Sequence, residues 1–168
     1  GSLEKIYNNH FGDGKPQAIV SASKDTSKEQ LVVATNAAFR PFEYMEGEHF
    51  YGIEMEIAKY LADRMGKELV IQHMDFEAVC LAVGQQKCDI AMAGLTVNEK
   101  RKELVTFSEP YYVASQRLVV PSNDRLFKDC ETKEQVLQVL DGLHKDTIIG
   151  VQGGTTGQFF VEGDADWD

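Results

Sequence analysis

The chain has 168 residues, 43% hydrophobic and 26% charged, with 27 Asp and Glu against 17 Lys and Arg for a formal net charge of −10. These proportions suit a folded core, either one ordinary domain or a small domain plus part of another. The acidic balance repels phosphate backbones and argues against nucleic acid as a partner, and no apolar run approaches the roughly 18 residues of a membrane span. Gly1-Ser2 reads as the scar of a removed tag, so the start of the chain carries no targeting information.

Leu3 to Phe11 predicts a short helix with Leu3, Ile6, Tyr7 and Phe11 on one face, ended by Gly12-Asp13-Gly14. Lys15 to Gln30 reads as a polar linker. Leu31-Val32-Val33-Ala34-Thr35 is a compact apolar run fit for a buried strand. Asn36 to Gly52 places a turn at Glu46-Gly47-Glu48 between two aromatic arms, the pattern of an irregular hairpin. Glu54 to Met65 predicts a helix with Ile57, Ala58, Leu61 and Met65 on its core face and Gly66 as its stop. Then follow a strand at Leu69 to Ile71, a helix from Glu77 to Gln85, and a strand from Asp89 to Ala93. A short helix capped by Asn98 runs to Leu104, and Val105 to Phe107 is extended again.

After the segment Arg117 to Pro121 the pattern restarts. A helix from Lys133 to Leu140, a strand from Thr147 to Val151, the loop Gln152 to Thr156 and a helix from about Gly157 are predicted. Strands alternating with helices imply parallel βαβ units and an α/β protein, and the restart implies two lobes. The expected divisions are a scar, short helix and linker over 1–29, a first lobe over 30–118, and a hinge with a partial second lobe over 119–168.

An open parallel sheet binds ligands beyond the carboxyl ends of its strands. That rule selects the loops Asn36 to Phe42, His73 to Phe76 and Gly94 to Asn98, together with Gln152 to Thr156. They carry the aromatics Phe39 and Phe76, the hydroxyls of Thr96, Thr155 and Thr156, glycines, and Arg101 close behind. Backbone amides and a guanidinium fork suit a carboxylate, backbone carbonyls suit an ammonium, and aromatic faces suit a side chain. Read alone, Arg101 in Asn98-Glu99-Lys100-Arg101-Lys102-Glu103 is an ordinary surface arginine on a charged helix, and Gln152 to Thr156 is equally a structural turn. The histidines are scattered, and Cys80, Cys88 and Cys130 form no Cys-x-x-Cys pair, so neither a metal nor another cofactor is expected. Cys80 and Cys88 can pair only if their backbones approach closely.

Four ordered stretches, LVVATNAAFRPFEY, YGIEMEIAKYLADRMG, MDFEAVCLAVGQQKCDIAMAGLTVNEKRKELVTFSEPYY and IIGVQGGTTGQFF, carry a resemblance. The chain resembles the extracytoplasmic solute-binding proteins of polar amino-acid ABC transporters, most of all the glutamine-binding type. The resemblance implies a two-lobed periplasmic-binding-protein fold, first lobe nearly complete and second partial. It implies that Arg101 clamps an α-carboxylate with help from Thr96, that the Gly94 carbonyl meets the ammonium, and that Phe39 and Phe76 sandwich the side chain. The loop with Gln152, Thr155 and Thr156 would close on the carboxylate from the second lobe. It further implies a free amino acid and an ABC permease as partners, an extracytoplasmic location (lipid-anchored or fused), and no catalysis. A ligand-sensing domain of a membrane receptor and an enzyme of the cyclohexadienyl-dehydratase kind are the alternatives.

Asn36 stands where glutamine-type members have Asp, and Gln152 where they have Lys, so glutamine is not secured as the ligand. The family's ammonium-binding acid, second hinge strand and closing helices lie beyond Asp168. Leu3 to Gly12 resembles the family's last helix, which points to the tail of a preceding unit in a tandem protein, or to a rearranged chain.

Overall fold

A computed structural model of the chain describes residues 1–163; positions 164–168, assigned above to the second lobe, lie outside the described residues. In chain order the elements are α1 (Ser2–Phe11), β1 (Gln30–Thr35), β2 (Ala38–Phe39), β3 (Glu43–Glu46), β4 (His49–Tyr51), α2 (Ile53–Met65), β5 (Glu68–His73), α3 (Phe76–Gly84), β6 (Ile90–Ala91), α4 (Glu99–Lys102), α5 (Lys133–Asp141) and α6 (Thr156–Val161). They fall into two compact units. One joins Gly1–Ser108 to the segment that starts at Gly153, and the other is Glu109–Gln152.

In the first unit, β1 is the centre of a parallel sheet ordered β5-β1-β6, with Leu31 opposite Leu69 and Val33 opposite both Ile71 and Ile90. Its side chains alternate between two cores because successive strand residues point to opposite faces. Leu31 and Val33 pack with Met55, Ala58 and Ala62 of α2. Val32 and Ala34 pack with Val79 and Ala82 of α3. A helix on each face explains why β1 is apolar without interruption rather than alternating. The α/β reading with parallel βαβ crossovers holds. Beside this sheet β2, β3 and β4 form an antiparallel sheet, with Glu46 opposite His49 across the predicted turn.

Three expectations for this unit change. The face of α2 toward the core carries Met55, Ala58 and Ala62, whereas Leu61 and Met65 are 37% and 54% exposed. The two alanines let the helix approach the sheet closely, which the longer side chains would prevent. The linker is not merely a tether. Ile19 is buried and exchanges backbone hydrogen bonds with Phe50 at 2.8 and 2.9 Å. Val105 to Phe107 forms no strand, because the amides of Leu104 and Val105 both turn back to the Arg101 carbonyl at 3.0 Å. The three cysteines are all free thiols.

Helix α1 docks through Glu56 of α2, a 4%-exposed carboxylate. It accepts from Asn9 Nδ2 and the Gln17 amide at 2.8 and 2.9 Å and lies 2.8 Å from His10 Nε2. Three partners satisfy the buried acid, so the amino-terminal segment is tied to the sheet domain rather than trailing from it.

Gly66 closes α2 with φ of 67°, the left-handed conformation that favours glycine at this position. Nothing lies within 4 Å of the place a Cβ would take. Gly66→Ala therefore tests conformation alone, and urea unfolding should show a loss of about 1 kcal/mol.

The second unit contains α5, whose N-cap Thr132 and Gln135 exchange reciprocal hydrogen bonds at 3.3 and 3.1 Å. Thr147 to Val151 is not a strand here. Thr147 closes a turn onto His144 O at 2.8 Å, and among the described residues no strand pairs with those that follow, with Ile148 92% exposed.

Candidate functional site

The loops that follow β1, β5 and β6 converge at the carboxyl end of the parallel sheet, and α4 brings Arg101 to them. Asn98 is the N-cap, and its Oδ1 accepts from the Arg101 amide at 2.9 Å. This fixes the short helix so that Arg101 turns inward, leaving it only 8% exposed despite its charged neighbours. Its fork is spread over backbone carbonyls, Nη1 to Thr96 O at 2.7 Å and Nη2 to Gly154 O at 2.9 Å. The guanidinium carbon lies 5.4 Å from the Phe76 ring centre. Among the described residues no carboxylate forms an ion pair with it. Burial pushes its pKa below the usual arginine value, the mark of a cation taken out of water without a countercharge.

A recess of about 260 Å³ opens at this point, with Phe76, Glu77, Cys80, Leu95, Arg101 and Phe159 on its walls. Burial pushes the Cys80 thiol up, so it stays protonated beside Arg101. A wider groove of about 410 Å³ lies near Ser21, Lys59, Asp63 and Glu68. Lys59 there already has the Asp63 carboxylate as its countercharge, which Arg101 in the smaller recess lacks.

Gly94 follows β6 with φ of 57°, and a Cβ there would stand 3.1 Å from Phe39. Only glycine permits both the conformation and the contact. Its N–H donates to both carboxylate oxygens of Glu54 at 3.1 Å. Phe39 itself is 53% exposed and stacks on Phe42 at 5.6 Å. Asn36 donates from Nδ2 to Met74 O at 2.8 Å, linking the loops after β1 and β5.

Of the residues selected from sequence, Phe76, Thr96 and Arg101 meet directly, Phe39 meets Gly94, and Asn36 sits at the end of the central strand. Thr96 contributes its carbonyl to Arg101. Thr155 serves as the N-cap of α6, its side chain accepting from the Gln158 amide at 3.3 Å, and Thr156 is buried. Gln152 belongs to the second unit, where it is exposed. Sequence reasoning missed Glu43 and Glu54. Both are 1% exposed, and burial first, then the Glu54 charge, push the Glu43 carboxyl up to about 10. A signal existed for Glu54, since it lies four and eight residues before Ala58 and Ala62 on the buried side of α2.

A buried guanidinium without a countercharge, an aromatic ring beside it and a left-handed glycine at the end of a parallel sheet are features that suit a small anionic or zwitterionic solute. The sequence profile of the bacterial extracellular solute-binding proteins, family 3, matches residues 31–150, and the chain belongs to that family. The arginine-binding extracellular protein ArtP of Bacillus subtilis (strain 168) is 33% identical over 135 residues, covering 80% of this chain and 48% of that protein. An ancestral arginine-binding protein bound to arginine matches in structure with a TM-score of 0.69 and 32% identity, over 82% of this chain and 57% of that one. The same kind of ancestral protein bound to glutamine gives 0.68 and 32% over the same shares. The chain thus spans about half the length of the curated relatives it matches. These matches bear out the polar amino-acid solute-binding type and the partial periplasmic-binding-protein fold. Among the described residues, no helix is long and apolar enough to cross a membrane, and no acidic, cysteine and histidine side chains group to hold a metal.

Proposed function

We propose that this chain recognises a polar amino acid outside the cytoplasm and presents it to an ABC transporter permease, without bond chemistry. The buried, uncompensated charge of Arg101 carries this reading. A carboxylate brought to the guanidinium in place of a carbonyl contact converts a desolvated cation into a charge-assisted, bidentate pair. Thr96 assists it, the Gly94 carbonyl takes the ammonium, and Phe39 and Phe76 flank the side chain. Asn36 and Gln152 select the side-chain end, and Thr155 and Thr156 belong to the closing loop. Residues 30–118 act as one lobe and 119–168 as hinge and part of the other, with closure favoured because ligand binds the closed form better.

Arginine is the first ligand choice. ArtP and the ancestral neighbour are named for it, and a chain of net charge −10 attracts a cation. Glutamine is the second, supported by the glutamine-bound ancestral neighbour and by the neutral amide of Asn36. A thermal-shift screen of the common amino acids tests the reading. A ligand held only by the folded state stabilises it by about 2.7 kcal/mol at a hundredfold excess over Kd. Arginine should raise the melting temperature most. A folded chain that shifts with no amino acid would refute the reading, and turnover of a cyclohexadienyl acid would replace it with the enzyme alternative.

A further inference from the structure

The loop from Gly153 to Thr156 already holds the guanidinium that a solute carboxylate would need. The chain is exposed from Gly150 to Gln152, and burial begins at Gly153, where the chain rejoins the first unit. Gly154 O accepts from Arg101 Nη2 at 2.9 Å, so one arm of the fork is taken by this chain's own backbone. The other arm donates to Thr96 O at 2.7 Å.

The seat of this loop is closely fitted. A Cβ on Gly153 would stand 2.6 Å from Glu77 Oε1, at the first turn of α3. On Gly154 it would stand 2.7 Å from Glu77 Cγ and 3.3 Å from Glu77 Cα, and Gly154 has the left-handed φ of 73°. Two adjacent glycines therefore let the backbone lie against α3 and reach Arg101. The Gly154 amide donates to Gln158 Oε1 at 2.7 Å, which ties the loop to α6. Phe159 of the same helix lies 5.5 Å from the Lys100 ammonium and forms part of the recess wall. A neutral carbonyl is a weaker acceptor for a guanidinium than a carboxylate, which can take both arms in parallel. A carboxylate can thus displace this contact.

We propose that the Gly153 to Thr156 loop is a built-in competitor of the ligand: the Gly154 carbonyl occupies half of the Arg101 fork, and a solute carboxylate binds after displacing it. This regulation rests on the amino-acid reading above. Apparent affinity is then the intrinsic affinity reduced by the fraction of molecules whose fork is open. Unseating the loop should strengthen binding. A loop that only closed over the ligand would weaken binding when unseated, so the two roles have opposite signs.

Gly154→Ala tests the proposal on the whole chain. Gly153→Ala is the milder variant, because its Cβ meets the mobile end of the Glu77 side chain. The first readout is the rate at which phenylglyoxal modifies Arg101 without ligand, followed by mass spectrometry. The second is calorimetry with L-arginine, then with the other common amino acids. Modification should be faster in Gly154→Ala, and affinity should rise roughly tenfold, the worth of one charge-assisted hydrogen bond. Gly153→Ala should show a smaller rise, and it carries both readouts if Gly154→Ala does not fold. Equal modification rates in wild type and folded variants overturn the seated loop. Faster modification with equal or weaker binding overturns the competition and leaves the amino-acid reading standing. No heat with any amino acid in wild type or variants refutes that reading and the regulation together.

Discussion

Arg101→Ala is expected to weaken arginine binding at least tenfold, read by isothermal titration calorimetry, with little change in the stability of the fold. A charge-assisted hydrogen bond is worth about 1.5–3 kcal/mol, which corresponds to roughly 10- to 150-fold in affinity. Two features keep the fold in place. Arg101 is a buried cation whose pKa burial has lowered, so its removal relieves a desolvation cost. The groups it leaves, Thr96 O and Gly154 O, belong to residues that are exposed or half-buried, where water replaces the lost donor. Arg101→Lys should fall between wild type and alanine, because it keeps the charge and loses the fork. Unchanged affinity in the alanine variant would return Arg101 to a structural role, tying the loop after β6 to Gly154.

The second large effect concerns pH. Glu43 has an ordinary value of 4.5 when unfolded and about 10 when folded, raised first by burial and then by the Glu54 charge. The folded state therefore keeps a proton that the unfolded chain releases across this range. Stability from that proton is complete below pH 4.5 and drains away as pH rises toward 10. From pH 4.5 to pH 7 the loss is on the order of 3 kcal/mol, at 1.36 kcal/mol per unit. Glu43→Gln has no proton to lose, so its stability should exceed that of the wild type increasingly from pH 5 to pH 9, by roughly 2–3 kcal/mol at pH 7. Urea unfolding at pH 5, 7 and 9 measures the difference. Parallel curves for the two proteins would mean that Glu43 is ionised in the folded state.

Both predictions concern groups that pattern reading treats unequally. Arg101 is legible because Gly94, Thr96, Arg101 and the block Phe107 to Tyr112 stand in the family's register, whereas its charged helix alone reads as surface. Glu43 and Glu54 were overlooked because they are separated in sequence and each resembles a surface acid. They come together only because β3 crosses the start of α2, which brings the Phe42 carbonyl within 2.9 Å of the Glu54 amide. The fate of Val105 to Phe107 has the same kind of cause. Its composition suits a strand, but the nearest amides are taken by the Arg101 carbonyl.

The sequence by itself determined the α/β class, the central strand Leu31 to Thr35, the helices bounded by Gly66 and Asn98, and the family. These depend on short-range terms: side-chain periodicity, capping and turn chemistry act within a few residues and are written in the chain order. Only the tertiary structure decided that Arg101 is buried against two carbonyls, that Ala58 and Ala62 rather than Leu61 and Met65 face the sheet, and that Glu43 and Glu54 share a site. Burial and electrostatics depend on which distant residues are brought together, and a charge in a sequence has no environment until its neighbours arrive.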